Sequence, residues 1–255
     1  MDHAPSFSLQ NQYALVIGGT SGIGKAIARG YLQAGARVVI AGRDGAKLAL
    51  ALDELARFGP VSGYQADVST EAGLRGLVGI TLATEGHIDV LVNCQGITLL
   101  KPAEDFSRAD WDSVIDIDLQ SVFFACTEVG RHMLGRGSGA IVNIASLASH
   151  RGWPRSALYA IAKAGVLSLT QTLGAEWAAR GVRVNAISPG FFMTELNRGK
   201  MSPERKALAL ARTPAGRFGE VDELVGAAVY LASGAAGFMT GQTIAVDGGF
   251  LATGL

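Results

Sequence analysis

Short apolar runs rich in β-branched residues alternate along this chain with longer runs rich in alanine and leucine. Segments such as YALVI at 13–17 and RVVIA at 37–41 predict strands, and an amphipathic segment of helical periodicity follows each of them. Because these strands are almost continuously apolar, they are typical of a parallel sheet that helices cover on both faces. We therefore expect an α/β fold, a doubly wound Rossmann sheet of about seven strands, in a single domain over residues 1–255.

The order of the predicted elements also places the site. In such a fold the chain crosses the sheet after the third strand, and ligands bind beyond the carboxyl ends of the strands near that crossing. A polar stretch over 190–212 interrupts the alternation and is predicted to be a mobile loop over the substrate. The predicted strands begin at Tyr13, Arg37, Val61, Ile88, Ala140, Val182 and Thr243, and the predicted helices span 23–32, 48–58, 74–83, 111–133, 157–179 and 222–231.

Charge and cysteine content exclude several classes of protein. Lysine and arginine total 22 against 22 acidic residues, without a basic cluster, so we expect no nucleic-acid partner and no anionic membrane partner. No apolar run approaches the roughly 18 residues of a membrane span, and the first residues lack a signal-peptide pattern. Cys94 and Cys126 show no metal or disulfide spacing, and the four histidines show no ligand spacing. We expect a cytoplasmic protein without a metal.

A glycine-rich turn follows the first predicted strand directly and leads into a helix. Glycines without Cβ atoms let backbone N–H groups approach a pyrophosphate, which the positive end of the helix dipole attracts. The spacing of Gly18, Gly22 and Gly24 is GxxxGxG and departs from GxGxxG. A tight turn without a ligand is the alternative. The predicted phosphate-binding residues are Gly18, Thr20, Ser21, Gly22, Ile23 and Gly24.

The end of the second predicted strand indicates which dinucleotide binds. Gly42 occupies the position where an acidic residue would bind the ribose hydroxyl of NAD, and Arg43 follows it. An arginine there can pair with a 2′-phosphate, which favours NADP(H), with NAD(H) possible. Two alternatives remain open: Arg43 could be a solvated charge, and Asp44 could turn to the hydroxyl instead.

Three polar residues are predicted to meet at the carboxyl edge of the sheet. Tyr159 and Lys163 lie four residues apart, on one face of a predicted helix. An ammonium group beside a phenol stabilises the phenolate, so that the tyrosine can act as an acid and base. Ser146 ends the fifth predicted strand and therefore faces the same crevice. A YxxxK match alone is common on helix surfaces, and the serine is what favours a catalytic site.

These motifs together resemble the short-chain dehydrogenase/reductase family over nearly the whole chain. The glycine turn GGTSGIG at 18–24 is similar to the family's cofactor turn, and NCQG at 93–96 to its NNAG segment. The resemblance implies a Rossmann-fold NAD(P)(H)-dependent oxidoreductase that interconverts an alcohol and a carbonyl, usually as a homotetramer. Further cofactor-binding residues implied by matching motifs are Asp67, Val68, Asn93, Gly96, Tyr159, Lys163, Pro189, Gly190 and Thr194.

The resemblance also implies a role for each residue of the catalytic motif. Tyr159 would be the acid and base, and Ser146 would hold and polarise the substrate oxygen. Lys163 would bind the nicotinamide ribose and favour the phenolate of Tyr159, while Thr194 would hold the carboxamide. The hydride chemistry itself belongs to the cofactor.

Asp118 is a departure from the family pattern. The family has an asparagine there, in a pattern like VNLxxxF, whose backbone carbonyl holds a water that connects Lys163 to solvent. Asp118 could keep that role, and its charge near Lys163 would then oppose phenolate formation at Tyr159. A purely structural Asp118, held by backbone amides, is the alternative. Gln95 is a second departure and faces either the nicotinamide ribose and substrate or the fourth strand.

The substrate residues are predicted from their position beside the catalytic strand ends. Ser146, His150, Trp153, Tyr159 and Phe191 are expected to contact the substrate, and Thr98, Leu147, Phe192 and Met193 to complete the wall, unless they are only packing residues. The segments 191–197, 214–219 and 240–249 are most similar to family members acting on polyols, sugar acids and 3-oxoacyl thioesters.

The sequence leaves four functions open. The leading prediction is an NADP(H)-preferring enzyme that interconverts a secondary alcohol and a ketone. An NAD-dependent polyol or sugar-acid dehydrogenase and a 3-oxoacyl thioester reductase are alternatives of the same class. A catalytically silent NADP-binding sensor or scaffold is the alternative from another class, and Asp118 is its only support.

Overall fold

The computed structural model describes residues 6–193 and 201–253. Within these residues seven strands form one parallel sheet in the order β3-β2-β1-β4-β5-β6-β7. The crossing therefore lies between β1 and β4, where Ala14 pairs with Val90, and the predicted switch after the third strand is confirmed. The strands are β1 (Tyr13–Ile17), β2 (Arg37–Gly42), β3 (Val61–Gln65), β4 (Val90–Asn93), β5 (Gly139–Ile144), β6 (Val182–Pro189) and β7 (Thr243–Val246).

Helices cover both faces of this sheet, as the continuous apolar strands predict. Successive residues of β1 point to opposite faces, so Val16 lies in one hydrophobic cluster, and Leu15 and Ile17 lie in the other. Both clusters share the sheet, and the predicted doubly wound class is confirmed. The helices are α1 (Gly22–Gln33), α2 (Gly45–Leu55), α3 (Glu71–Glu85), α4 (Arg108–Ile115), α5 (Ser121–Arg136), α6 (Ala157–Trp177), α7 (Pro203–Ala211) and α8 (Val225–Ala232).

The helix predicted over 111–133 is divided in the structure. A π-helical segment, Asp116–Gln120, separates α4 from α5. At its end the Ser121 hydroxyl donates to the Ile117 carbonyl oxygen at 2.6 Å. Such single-turn π segments are often found at functional sites. Periodicity alone does not distinguish this arrangement from a continuous α-helix, because the hydrophobic positions shift by only one residue.

The stretch predicted as a mobile loop over 190–212 contains a helix. The Ser202 side chain accepts a hydrogen bond from the Arg205 N–H at 3.3 Å, and Pro203 occupies the first turn of α7. A serine cap followed by proline is a typical helix start, which the polarity of the stretch hid. Residues 194–200 lie outside the described residues, and Thr194 is among them.

Candidate active site

The glycine turn lies between β1 and α1 and packs very closely. Gly18 has a φ of 79° and Gly22 a φ of 51°, which favour residues without a Cβ atom. A Cβ on Gly18 would lie 2.8 Å from the Cys94 carbonyl carbon, and one on Gly24 would lie 2.2 Å from the Gly18 oxygen. The glycines therefore allow the first turn of α1 to reach the carboxyl edge of the sheet.

The start of α1 suits an anionic group. Ser21 is the residue before the helix, and its side chain caps none of the helix N–H groups; the first turn carries no acidic residue. These N–H groups and the helix dipole favour a phosphate. The turn lines a cleft of about 360 Å³. The cleft lies at the carboxyl edge of the sheet, where folds of this class bind dinucleotides, and its lining includes Gly18, Thr20, Ser21, Gly22, Ile23 and Gly24.

Arg43 and Asp44, which follow β2, have different surroundings in the structure. A Cβ on Gly42 would lie 2.6 Å from the Thr20 Cγ2, so a larger residue there would require the Thr20 side chain to move. Arg43 is exposed and lines the cleft. Asp44 instead caps α2, because its Oδ1 accepts from the N–H groups of Ala46 and Lys47 at 3.0 and 3.1 Å. Arg43 is therefore the one of these two side chains that lines the cleft.

Asp67 and Val68 also line the cleft. The Asp67 carboxylate accepts from the Ser69 hydroxyl at 2.7 Å and from the Ser69 N–H at 3.1 Å. These bonds lower the pKa of Asp67, which stays charged at neutral pH. Its orientation is therefore fixed before any ligand arrives.

Ser146, Tyr159 and Lys163 all line the cleft, as predicted. The Lys163 ammonium is buried, donates to the Ile144 carbonyl oxygen at 3.1 Å and lies 5.9 Å from the centre of the Tyr159 ring. Ser146 is the second residue after β5, and its hydroxyl oxygen accepts from the Ala148 N–H at 3.2 Å. The structure thus brings a hydroxyl, a phenol and an ammonium to one wall of the cleft.

Asp118 is fully buried behind that wall, within the π-helical segment. Its Oδ1 accepts from the Ile97 N–H at 2.7 Å, and its Oδ2 lies 3.6 Å from the Lys163 Nζ. Burial raises the pKa of the Asp118 carboxyl, while the Lys163 charge and the Ile97 N–H oppose that shift. Both predicted features, a bond to a backbone amide and proximity to Lys163, are therefore present together.

Two predicted ligand-binding side chains have other partners. The Asn93 Nδ2 donates to the Asn143 Oδ1 at 2.9 Å and joins β4 to β5, so Asn93 is buried below the cleft. The His150 Nε2 lies 2.8 Å from the Ser188 Oγ, and burial lowers the pKa of His150. Gln95 does line the cleft, yet its Nε2 donates to the Ser121 Oγ at 3.1 Å.

The predicted aromatic substrate residues form a cluster beside the cleft. The Phe191 ring lies 5.6 Å from that of Trp153 and 5.7 Å from that of Phe250. Phe191 also borders a second pocket of about 90 Å³. Phe250 was absent from the prediction, since nothing in its local sequence links it to a segment so far away. Thr98, Gly96, Pro189, Gly190 and Phe192 line the main cleft, whereas Leu147 and Met193 are not among its lining residues.

No helix in the described part of the chain is long and apolar enough to cross a membrane. This finding agrees with the sequence, where no apolar run reaches the length of a span.

Comparison with known proteins identifies the family. A family model described as enoyl-(acyl carrier protein) reductase, a member group of the short-chain dehydrogenases/reductases, matches residues 18–251. This chain belongs to the short-chain dehydrogenase/reductase family. The resemblance inferred from the glycine turn and from Ser146, Tyr159 and Lys163 is confirmed, and so is the class, an oxidoreductase acting on CH–OH groups.

Relatives of the family match along almost their full length. A gluconate 5-dehydrogenase of Gluconobacter oxydans (strain 621H) is 40% identical, over 98% of each chain. A D-threitol dehydrogenase of Mycolicibacterium smegmatis is 41% identical, over 96% of this chain and 94% of the relative. The crystal structure of a gluconate 5-dehydrogenase from Burkholderia cenocepacia J2315 with NADP and tartrate superimposes with a TM-score of 0.92, at 40% identity over 97% and 98% of the chains.

Proposed function

We propose that this short-chain dehydrogenase/reductase interconverts a secondary alcohol of the polyol or sugar-acid type and the corresponding ketone, with NADP(H) preferred. The convergence of Ser146, Tyr159 and Lys163 on the cleft that begins at α1 carries the proposal. The names of the relatives, a gluconate 5-dehydrogenase and a D-threitol dehydrogenase, support the class of substrate.

Each residue of the cleft wall has a distinct part in the reaction. The bound nicotinamide would accept or supply the hydride. The Tyr159 hydroxyl exchanges the proton with the substrate oxygen, because it is half-buried in the same cleft and lies beside a cation. The Ser146 hydroxyl donates to that oxygen and fixes its position. The Ile144 carbonyl accepts from the Lys163 Nζ and holds it near the phenol ring.

The preference for NADP(H) rests on the two residues after β2. Arg43 lines the cleft with its side chain exposed, whereas Asp44 is bonded to the first turn of α2. A guanidinium pairs well with a phosphate, in a charge-assisted bond worth about 1.5–3 kcal/mol. The NADP in the related Burkholderia structure supports this assignment.

The proposal also extends to assembly and location. We propose a homotetramer, which large apolar side chains exposed on α4, α5 and α6 support. We propose a cytoplasmic location, which the unpaired cysteines Cys94 and Cys126 support because a reducing compartment keeps thiols free. A mobile segment over 190–212 and the carboxamide contact of Thr194 remain predictions.

The test follows the absorbance of the reduced nicotinamide with a panel of polyols and sugar acids, their ketones, diketones and 3-oxoacyl thioesters, with each nicotinamide cofactor. Tyr159→Phe is expected to lower kcat about 10²–10⁴-fold, since it removes the proton exchange, while NADPH affinity stays near the wild-type value. Tyr64→Phe is the matched control, because the Tyr64 hydroxyl bonds Thr84 on α3 and Tyr64 is not among the residues that line the cleft. Equal turnover by Tyr159→Phe and wild type contradicts the role of Tyr159, and no turnover by wild type favours a silent binding protein.

A further inference from the structure

Asp118 and Lys163 form a buried ion pair at the side of the cleft where Ser146 and Tyr159 lie. The Asp118 side chain has 0% of its surface exposed and the Lys163 side chain has 5%, and their charged atoms lie 3.6 Å apart. Lys163 and Gly96 line the cleft and Asp118 does not. Gly96 packs against the pair: a Cβ there would lie 2.9 Å from the Asp118 Oδ2 and 3.4 Å from the Lys163 Nζ. The carboxylate is thus adjacent to the site without touching a substrate.

The two oxygens of Asp118 have different surroundings. Oδ1 accepts the Ile97 N–H and fixes the loop after β4. Oδ2 has no hydrogen-bond partner and faces the ammonium of Lys163. A buried carboxylate with one unsatisfied oxygen is costly unless a cation lies near it. The arrangement therefore makes the charge of Asp118 depend on Lys163, and the field of Lys163 depend on Asp118.

Few other charges act on this pair. From α6 the facing titratable groups are Lys163 and Tyr159, and from the loop after β4 the facing group is Cys94, whose pKa burial raises to about 11. Within the described part of the chain, Lys163 is the charged side chain whose field acts on Asp118. A change of charge at Asp118 is therefore transmitted mainly through Lys163 to the phenol of Tyr159.

We propose that Asp118 is a positioning residue whose negative charge, held against Lys163, sets the pH range in which Tyr159 exchanges its proton. The inference rests on the proposed function, because it takes Tyr159 as the acid and base. Lys163 favours the phenolate, and the carboxylate offsets that effect. Oxidation of an alcohol needs the phenolate. The pH below which the rate of oxidation falls is therefore higher than it would be with Lys163 alone. Reduction needs the phenol. The pH above which the rate of reduction falls is therefore also higher than it would be with Lys163 alone.

The experiment compares pH profiles of kcat/KM for oxidation and reduction in wild type and Asp118→Asn. Asparagine keeps the shape of the side chain and can still accept the Ile97 N–H through its Oδ1, but it carries no charge. Removing a charge this close is expected to shift both limbs to lower pH by about one unit. A purely structural role would change stability or kcat without moving the limbs.

Asp116→Asn is the matched control, because it removes the same charge from the same π-helical segment, two residues from Asp118. Its profile is expected to coincide with that of wild type. If Asp118→Asn does not fold, Asp118→Ser supplies a smaller neutral side chain with the same expected shift. Coinciding profiles for wild type and the neutral variant, or an equal shift in Asp116→Asn, contradict the inference alone. Absence of turnover in wild type contradicts the proposed function and the inference together.

Discussion

Arg43 and Asp44 are neighbours in sequence, but their side chains serve different structures. Asp44 begins α2 by accepting two backbone N–H groups, so its carboxylate points along the helix. Arg43 stays exposed at the cleft, and its backbone oxygen is held by the Gln65 side chain at 2.9 Å. The cleft is therefore lined by Arg43 and not by Asp44.

Arg43→Ala is expected to lower the affinity for NADPH about tenfold to a hundredfold and to leave that for NADH nearly unchanged, because only NADPH offers a phosphate to the guanidinium. Fluorescence titration with both cofactors measures the change. Lys47→Ala is the control, since it removes a nearby exposed cation that is absent from the cleft lining. An equal loss for NADPH and NADH would contradict the assignment of Arg43 to the 2′-phosphate.

For single residues, the sequence predicts the site well when the end of a strand determines where the side chain lies. Ser146 follows β5, and the carboxyl ends of parallel strands share one edge, so its meeting with Tyr159 follows from the pattern. Asn93 and His150 are different, because each is bonded to a side chain that comes much later in the chain, Asn143 and Ser188. The local sequence does not predict partners that lie so far along the chain.

The contact between α1 and the glycine turn depends on the absence of a Cβ atom on Gly24. Gly24 lies against the backbone of Gly18, whereas Gly79 in α3 has no atom within 4 Å of a Cβ position. Both are helical glycines, yet only the first is required by packing. The GxxxGxG spacing makes this need visible in the sequence.

Gly24→Ala is expected to destabilise the fold by about 1–3 kcal/mol, because the added methyl group would displace the start of α1. It should also weaken NADPH binding, since the helix N–H groups move with the turn. Gly79→Ala is the control and is expected to stabilise the fold by about 0.5–1 kcal/mol through helix propensity. Chemical denaturation and cofactor titration measure both effects. A Gly24→Ala protein as stable as Gly79→Ala would show that the turn is not tightly packed.

Most strands and helices follow from apolar periodicity, because each buries a defined face against the sheet. The π-helical segment Asp116–Gln120 does not follow from periodicity, although it places Asp118 beside Lys163. Two bonds accompany it, a local one from Ser121 to Ile117 and a tertiary one from Ile97 to Asp118. The sequence thus identifies Asp118 as unusual, while its pairing with both Ile97 and Lys163 is a property of the folded chain.

At the scale of the whole molecule, the exposed apolar side chains are unevenly placed. Trp111 on α4, Phe124 on α5 and Ile161 on α6 are 40%, 40% and 48% exposed, on helices that pack against one another. Phe123 stacks edge-to-face on Phe124 with ring centres 5.2 Å apart. An apolar area of this kind on neighbouring helices is typical of an interface between subunits. Because α6 carries both Tyr159 and Lys163, such an interface would also hold these two side chains in place.

Phe124→Glu is expected to reduce the molar mass from about four times that of the 26.4 kDa chain to half of that or less, because a charge would be buried on both sides of a symmetric contact. Light scattering after size exclusion measures it at several concentrations. Leu50→Glu is the control, since Leu50 is 66% exposed on α2, on the opposite face of the sheet. If both variants keep the wild-type mass, α5 is not at the interface. If wild type itself elutes at 26.4 kDa, the tetramer is wrong, and these side chains are exposed in the working enzyme.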